Sequence, residues 1–475
     1  MMARYRGEPL QLEGSRALVM GLGTRQGGVG VARYLVRHGA EVTVTDLNDA
    51  VSLQASIDAL QGLPITWRLG EHVAEDFDQT DIVVRNPGVP ADSPWLERVR
   101  QRGGRIEMEM SLFFRSCPAP IIGITGTKGK TTTASICAGI LRRHRPDTVL
   151  AGNMGTSALD QLQSIEAETP VVIELSSWQL EGLAPYEMSP DIAVLTNISQ
   201  DHLNRYSSMD AYIEAKRHIA RFQTSSDWFV VNRNDQQCWD SREVTAAHVV
   251  PFGYLHADDD GAGLEHHGLY WSRSGVRTPL VRADEIPLQG DHMVSNALAA
   301  SAAALLVGAR VDTVRQGLRS AQAVPHRQEL VASIDGVDFI NDTTATAPAA
   351  AIAALETFQH RPIVLISGGA SKGADLSRFA RVAASSAQHI LLLDGDETAN
   401  LTAQLDGCGA TSLEGPFPTM QSAVTRAAEL VSEDGVVLLS PACASFGMFR
   451  DEFDRGEQFR SAVLAIASPG DGGAS

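Results

Sequence analysis

The chain has 475 residues, a formal net charge of −18 and 44% hydrophobic residues. That length exceeds one ordinary hydrophobic core and, at roughly 150 residues per domain, predicts about three domains. The acidic balance excludes a nucleic-acid surface, which needs a basic face to displace counterions from phosphates.

Cys117, Cys137, Cys238, Cys408 and Cys443 lie far apart without a C-x-x-C pair, so neither a disulfide framework nor a structural zinc site is expected. The start "MMARYRGEPLQLEGS" lacks an apolar secretory core, and no later stretch is an uncharged run long enough to span a membrane. The expected location is the cytoplasm, with no membrane or nucleic-acid partner.

In chain order, "SRALVMGLGTRQGGVGVARYLVRHGAEVTVTDL" predicts a strand, a glycine loop, an amphipathic helix and a second strand ending at Asp46. Gly21 and Gly23 suit a tight turn, but Gly27 comes one residue late for G-x-G-x-x-G. A nucleotide diphosphate lying on the helix start is a better use of these residues than a dinucleotide oxidoreductase. "DIVVRNPGVP" predicts a short buried strand running into a turn, and Pro118 and Pro120 mark a domain boundary near residues 109 to 118.

"GITGTKGKTTT", Gly123 to Thr133, follows the apolar "PIIGIT" and reads as strand, tight loop and helix start. Backbone N–H groups of such a loop can point at phosphate oxygens, Lys130 can reach the β/γ-phosphates, and Thr131 can hold Mg²⁺. The loop is compressed relative to G-x-x-x-x-G-K-[ST], because Ile124 stands five residues before Gly129. Further on, "PVVIELSSWQLEG" and "DIAVLTNISQDHLNRY" are strand-like runs ending in polar clusters. In a parallel sheet the carboxyl ends of strands collect ligand groups, which brings Glu174, Asn197, Asp201 and His202 toward the phosphate loop. After the junction "AVPHRQE" a third α/β pattern runs through "VDFINDTTATAP", "PIVLISGGASKGADL", "HILLLDGD" and "GVVLLSPACASFGMF". The tail "SPGDGGAS" is expected to be disordered.

Together, "TGTKGKTTT", "AGNMG", "ELSSWQLE", "TNISQDHLNRY", "AYIEAKRH", "LQGDHMVSNALAA", "PHRQE", "NDTTAT", "SGGASKGADL" and "LLSPACAS" resemble, in this order, the Mur ligase family of ATP-dependent amide-forming enzymes. The resemblance covers nearly the whole chain and, through "ELSSWQLE" and "LLSPACASFGMFRDEFDRGEQF", is similar to the branch that adds glutamate to UDP-N-acetylmuramoyl-L-alanine. It implies an α/β chain of three domains. These are a Rossmann-like UDP-substrate domain over 1–110, a central P-loop ATPase domain with a mostly parallel sheet over 111–324, and a Rossmann-like glutamate domain over 325–475. A monomer is expected.

What the resemblance implies residue by residue is an acyl-phosphate route. Gly126, Thr127, Lys128, Gly129, Lys130, Thr131, Thr132, Asn296 and Arg327 would meet ATP. Thr131 and Glu174 would hold one Mg²⁺, and His202 with Lys216, carried as a carbamate, a second. Lys130, His202 and Lys216 form the catalytic set. Spacing alone reads Lys216 as a solvated helix lysine, Lys128 as an exposed loop lysine, His202 as a structural histidine, Asn296 as a helix cap and Arg327 as half of a surface salt bridge. Thr24, Arg25, Gln26, Asn86 and Asn153 would contact the UDP substrate; Thr346, Lys372, Ser445 and Phe453 would take glutamate.

Two departures stand out. Thr344 replaces the lysine common in "NDSKAT", and Met293 follows His292 where "GxHNxxN" is usual. With the longer "GLGTRQGG" loop, the loss of a cation from the amino-acid pocket points to L-glutamate, with a separate epimerase acting on the product; D-glutamate is the alternative. A folylpolyglutamate synthase-like ligase would not need the N-terminal β-α-β unit, and a catalytically silent nucleotide-binding module would not need Lys130, Glu174, His202 and Lys216 together.

Overall fold

The computed structural model describes residues 10–23, 26–152, 157–199, 206–288, 290–322, 324–371 and 373–467. It is an α/β protein with three sheets. The chain divides into two compact units, one ending at Ala321 and one beginning at Gln322.

The first unit holds two of the sheets. β1 (Arg16–Met20), β2 (Glu41–Asp46), β3 (Ile65–Leu69), β4 (Ile82–Arg85) and β5 (Arg105–Glu107) form an all-parallel sheet in the order β3-β2-β1-β4-β5. The order reverses between β1 and β4, which opens a crevice at their carboxyl ends.

The second sheet contains β6 (Ile121–Thr125), β7 (Val149–Gly152), β8 (Val171–Glu174), β9 (Ile192–Leu195), β10 (Trp228–Asn232), β11 (His248–Gly253), β12 (Gly261–Glu265), β13 (Gly268–Arg273) and β14 (Val276–Arg282). Its order is β14-β13-β12-β11-β10-β9-β6-β8-β7. β6, β8 and β9 are buried along their whole length and read as continuous apolar runs, as strands covered by helices on both faces must. The antiparallel hairpin β12–β13–β14 is the exception to the parallel plan. Pro279 is tolerated in β14 because that strand is an edge and its missing donor interrupts no inner ladder.

These two sheets share one core. The helix Gln26–Arg37 packs its Val29, Val31 and Leu35 into the cluster that also contains Leu112, Phe113, Leu159 and Ile173. The join is close: a Cβ on Gly30 would collide with Ser157 Oγ, and Arg33 reaches Asp160 at 2.5 Å. Tyr34 and Ser116 share a hydroxyl hydrogen bond of 2.7 Å across the same join.

The second unit carries β15 (Glu329–Ile334), β16 (Val337–Asn341), β17 (Ile363–Gly368), β18 (His389–Leu393), β19 (Leu413–Phe417) and β20 (Val436–Leu439) in the order β15-β16-β20-β17-β18-β19. Only the β15–β16 pair is antiparallel. Among the described residues no helix is long and apolar enough to cross a membrane.

Candidate active site

β6 delivers the chain into the phosphate loop between β8 and β9. Gly126 has φ 157 and Gly129 φ 79, the latter in the left-handed region where a side chain is strained. Added Cβ atoms would collide with Thr196 Oγ1 at Gly126 and with Asn296 Oδ1 at Gly129. The glycines are therefore required by close approach as well as by dihedral. The segment that follows β9 braces the loop from the side. Thr127 N–H donates to the Asn197 carbonyl at 2.8 Å, Lys128 N–H donates to Asn197 Oδ1 at 2.9 Å, and Asn197 Nδ2 returns a bond to the Lys128 carbonyl at 2.9 Å.

Two lysines meet on one carbonyl. Lys130 Nζ donates to Gly126 O at 3.0 Å and Thr127 O at 2.9 Å, and Lys216 Nζ, from the helix Met209–Arg221, donates to the same Gly126 O at 2.7 Å. Lys216 is only 2% exposed, which corrects the solvated-lysine reading that spacing alone suggests. The Tyr212 ring lies 4.7 Å from its Nζ. Lys128 is half-buried rather than an exposed loop lysine.

Glu174 ends β8 opposite Ile124 in the register and is buried, so a carboxyl group stands at the strand end beside the loop. Asn296 lies inside the helix Asp291–Val307 and is no cap. Its Oδ1 accepts the Thr133 hydroxyl at 3.3 Å, and its Nδ2 lies 4.0 Å from Met293 Sδ. Thr131 and Thr132 sit on the first turn of the helix Lys130–Arg142. Among the described residues no three His, Cys, Asp or Glu side chains form a metal cage, and Mg²⁺ held by one or two carboxylates plus phosphates needs none. Asp201 and His202 lie outside the described residues, as do Thr24, Arg25, Asn153 and Lys372.

The N-terminal loop is built differently from its look-alike. Gly21 and Gly23 do take left-handed φ values of 84 and 66. Gly28 and Gly30, by contrast, lie inside the helix and allow packing: a Cβ on Gly28 would strike the Leu22 carbonyl. Asp46 Oδ2 accepts Gly23 N–H at 3.0 Å, so this carboxylate closes the loop. A cavity opens beside it, lined by Gly21, Gly27, Gly28, Asn86 and Glu109 among others. Asn86 is held by a bond from its N–H to Met20 O and by Gly88 N–H on its Oδ1, each 2.9 Å. Gln26 is exposed at the helix start. Sequence reasoning passes over Glu109, because nothing in "RIEMEMSLFF" separates a buried carboxyl from a surface one.

In the second unit Arg327 lies in a loop between His326, φ 67, and Gln328, φ 46, two non-glycine residues in a costly conformation. Several bonds hold that loop. His326 N–H donates to Glu329 Oε2 at 2.8 Å, Gln328 N–H to Asp342 Oδ1 at 3.2 Å, and the Thr344 hydroxyl to the His326 carbonyl at 2.9 Å. Burial pushes the Asp342 carboxyl up to about 7, against the pull of Ser440, Gln328 and the Arg327 charge. Arg455 is fully buried and grips two loops at once: Nε donates to Thr343 Oγ1 at 2.9 Å, Nη2 to Thr343 O at 2.9 Å, and Nη1 to Ala444 O at 3.2 Å. Burial pulls its guanidinium down to about 10. Those loops carry Thr346 and the buried Ser445, while Phe453 is 45% exposed and meets the His326 ring edge-on at 5.7 Å.

Three family models match in order: the Mur ligase MurD-like N-terminal domain at residues 15–107, the Mur ligase middle domain at 124–304, and the Mur ligase glutamate ligase domain at 326–443. The UDP-N-acetylmuramoylalanine–D-glutamate ligase of Roseiflexus is 46% identical, over 96% of this chain and 99% of its own. The chain belongs to the Mur ligase family. The Symbiobacterium thermophilum protein of the same name is 37% identical over 95% and 98% of the two chains. Among solved structures, the UDP-N-acetylmuramate–alanine ligase of Thermotoga maritima superposes with a TM-score of 0.61 at 20% identity, covering 95% of this chain and all of that one, which supports the fold. As a Mur ligase this protein is an ATP-dependent, amide-bond-forming enzyme of peptidoglycan synthesis. The relatives' names carry D-glutamate and give the L-glutamate expectation no support. Thr344 shows why its physical premise is weak: the hydroxyl is spent on the His326 carbonyl, fastening the Arg327 loop, so its presence does not require a mirror-image substrate.

Proposed function

We propose that this Mur ligase joins D-glutamate to the alanyl carboxylate of UDP-N-acetylmuramoyl-L-alanine through an acyl phosphate. The observation that carries the chemistry is the convergence of Lys130 and Lys216 on the Gly126 carbonyl, beside the buried Glu174. The choice of substrates rests on the names of the full-length relatives.

An amine does not displace oxide from a carboxylate at useful rate, so the carboxylate oxygen first attacks the γ-phosphorus of ATP and ADP leaves. The glutamate amine then adds to the acyl carbon, and the tetrahedral intermediate collapses with loss of phosphate. Lys130 exchanges its two loop carbonyls for phosphate oxygens and neutralises the charge that develops during transfer. The loop from Gly126 to Thr132, with Lys128 in it, surrounds the phosphates: the Thr127 and Lys128 N–H groups hold it to Asn197, the N–H groups of Lys130, Thr131 and Thr132 at the helix start meet phosphate oxygens, and Asn296 and Arg327 serve the nucleoside side.

The donors beside the loop fit Mg²⁺: a threonine hydroxyl on the first turn of the helix Lys130–Arg142 and a buried carboxylate at the end of β8 are hard oxygen ligands. Thr131 and Glu174 would hold one ion, and His202 with a Lys216 carbamate a second; the metal supplies charge neutralisation on phosphate oxygens. Gln26, Asn86, Thr24, Arg25 and Asn153 receive the UDP substrate, and Thr346, Lys372, Ser445 and Phe453 the glutamate. A D-glutamate product needs no separate epimerase. The enzyme acts as a cytoplasmic monomer.

Phosphate release from ATP tests this reading. It should require UDP-N-acetylmuramoyl-L-alanine, and Lys216→Ala should lose it and regain part of it with added short carboxylic acids that replace the carbamate oxygens. Phosphate release without UDP-N-acetylmuramoyl-L-alanine, or full activity of that variant, would refute it.

A further inference from the structure

Glu109 begins the helix Glu109–Ser116 and is 9% exposed, yet it lines the cavity at the carboxyl ends of β1 and β4. Its two oxygens have different surroundings. Oε1 accepts the Ser157 hydroxyl at 2.6 Å and Ala158 N–H at 2.9 Å, which fix the carboxyl to the central sheet's side of the join. Oε2 is directed at Gly27, since a Cβ there would lie 3.1 Å from it. With no side chain at Gly27 or Gly28, a phosphate at the start of the helix Gln26–Arg37 comes within reach of that oxygen.

An ionised carboxylate there would repel a diphosphate, whereas a protonated one donates to it. Building on the UDP-substrate reading above, we propose that Glu109 is a binding residue for the nucleotide diphosphate, donating a proton from Oε2 to a phosphate oxygen, so that the protein takes up a proton when the nucleotide binds. The proton comes from solvent or buffer: an O–H bond forms on Oε2 as one breaks in the proton donor, and no bond between heavy atoms changes.

The surroundings already favour the neutral acid. Burial pushes the Glu109 carboxyl up to about 7, Asp160 adds to the rise, and the bonds from Ser157 and the 158–159 backbone hold it back. Among the described residues, Asp160 is the charged group that acts on it, and the nearby arginines are engaged elsewhere. Asp160 is paired with Arg33 on the helix Gln26–Arg37 at 2.5 Å. Arg85 on β4 lines the same cavity and donates to Val89 O at 2.8 Å. Arg115, on the helix that Glu109 begins, lies 3.4 Å from Glu107. A dianionic ligand in the cavity raises the carboxyl further by like-charge repulsion.

Calorimetric titration with UDP-N-acetylmuramoyl-L-alanine, without ATP, in buffers of different ionisation enthalpy tests this. Its diphosphate is a diester and does not titrate near neutrality. The expected result is uptake of about half a proton at pH 7 and close to one at pH 8, with affinity falling about tenfold per pH unit above that range. In Glu109→Gln the amide oxygen keeps Ser157 and Ala158 and the amide N–H₂ meets the phosphate, so uptake vanishes and affinity becomes independent of pH. Ser157→Ala removes a bond that favours the carboxylate and moves the uptake profile to higher pH. Binding by the wild type with no uptake, wild-type uptake in Glu109→Gln, or an unmoved profile in Ser157→Ala overturns the proposal while leaving the substrate assignment standing. No binding heat in any of the three proteins overturns both.

Discussion

The two glycine loops of the first unit look alike as sequence and are opposite in use of both space and charge. In "GTKGKTTT" the glycines at 126 and 129 let side chains from elsewhere, Thr196 and Asn296, press against the backbone, two lysine nitrogens donate to the same turn, and Lys130 supplies its positive charge. In "GLGTRQGGVG" the glycines at 28 and 30 let a helix press against Leu22 and Ser157, and the group lining the cavity is an acid, Glu109. Glycine spacing reports close approach; the ionisable groups around the turn report what approaches.

Substitutions separate the two loops, beginning with the largest effect. Lys130→Ala should lower kcat on the order of a thousandfold, because a charge aimed at the transferring phosphoryl group is removed, with little change in Tm. Gly129→Ala should behave similarly in activity, since the loop would have to move away from Asn296. Gly30→Ala should instead cost about 1–3 kcal/mol of stability through overpacking against Ser157, and pairing it with Ser157→Gly should recover most of the loss. A Gly30→Ala protein with normal Tm and lost activity would break the contrast.

Glu109→Gln sharpens the contrast through pH. The Glu109 carboxyl is raised from 4.5 to about 7 in the folded protein, so the native state holds its proton while the unfolded chain gives it up. Stability is therefore lost as pH rises from 4.5 toward 7, by up to about 3 kcal/mol. Chemical denaturation should show the glutamine variant more stable than wild type at pH 8 and equal to it below pH 4.5; equal stability at both pH values would contradict the buried-acid account. The smallest effect belongs to Thr344→Ala, which removes one hydroxyl bond to the Arg327 loop and should cost about 1 kcal/mol. It should change the KM for glutamate less than tenfold.

The strand-loop-helix order and the positions of Gly126, Lys130, Glu174 and Asn197 were legible because parallel sheets collect ligand groups at strand ends and local pattern marks those ends. What was not legible depends on chain segments far apart in sequence. Lys216 reads as a surface lysine until the helix Met209–Arg221 is seated on the loop. Arg455 is indistinguishable from the other arginines near the end of the chain, yet it donates to both Thr343 and Ala444. Thr344 reads as a missing cation because its partner, the His326 carbonyl, belongs to a strained loop that no periodicity predicts.

The amide-forming assay with UDP-N-acetylmuramoyl-L-alanine, ATP and each glutamate enantiomer supplied separately tests the central claim most directly. The account predicts product and stoichiometric ADP with D-glutamate, at a kcat/KM well above that for L-glutamate. A higher kcat/KM for L-glutamate, or no amide product with either enantiomer while ATP is turned over, would contradict it.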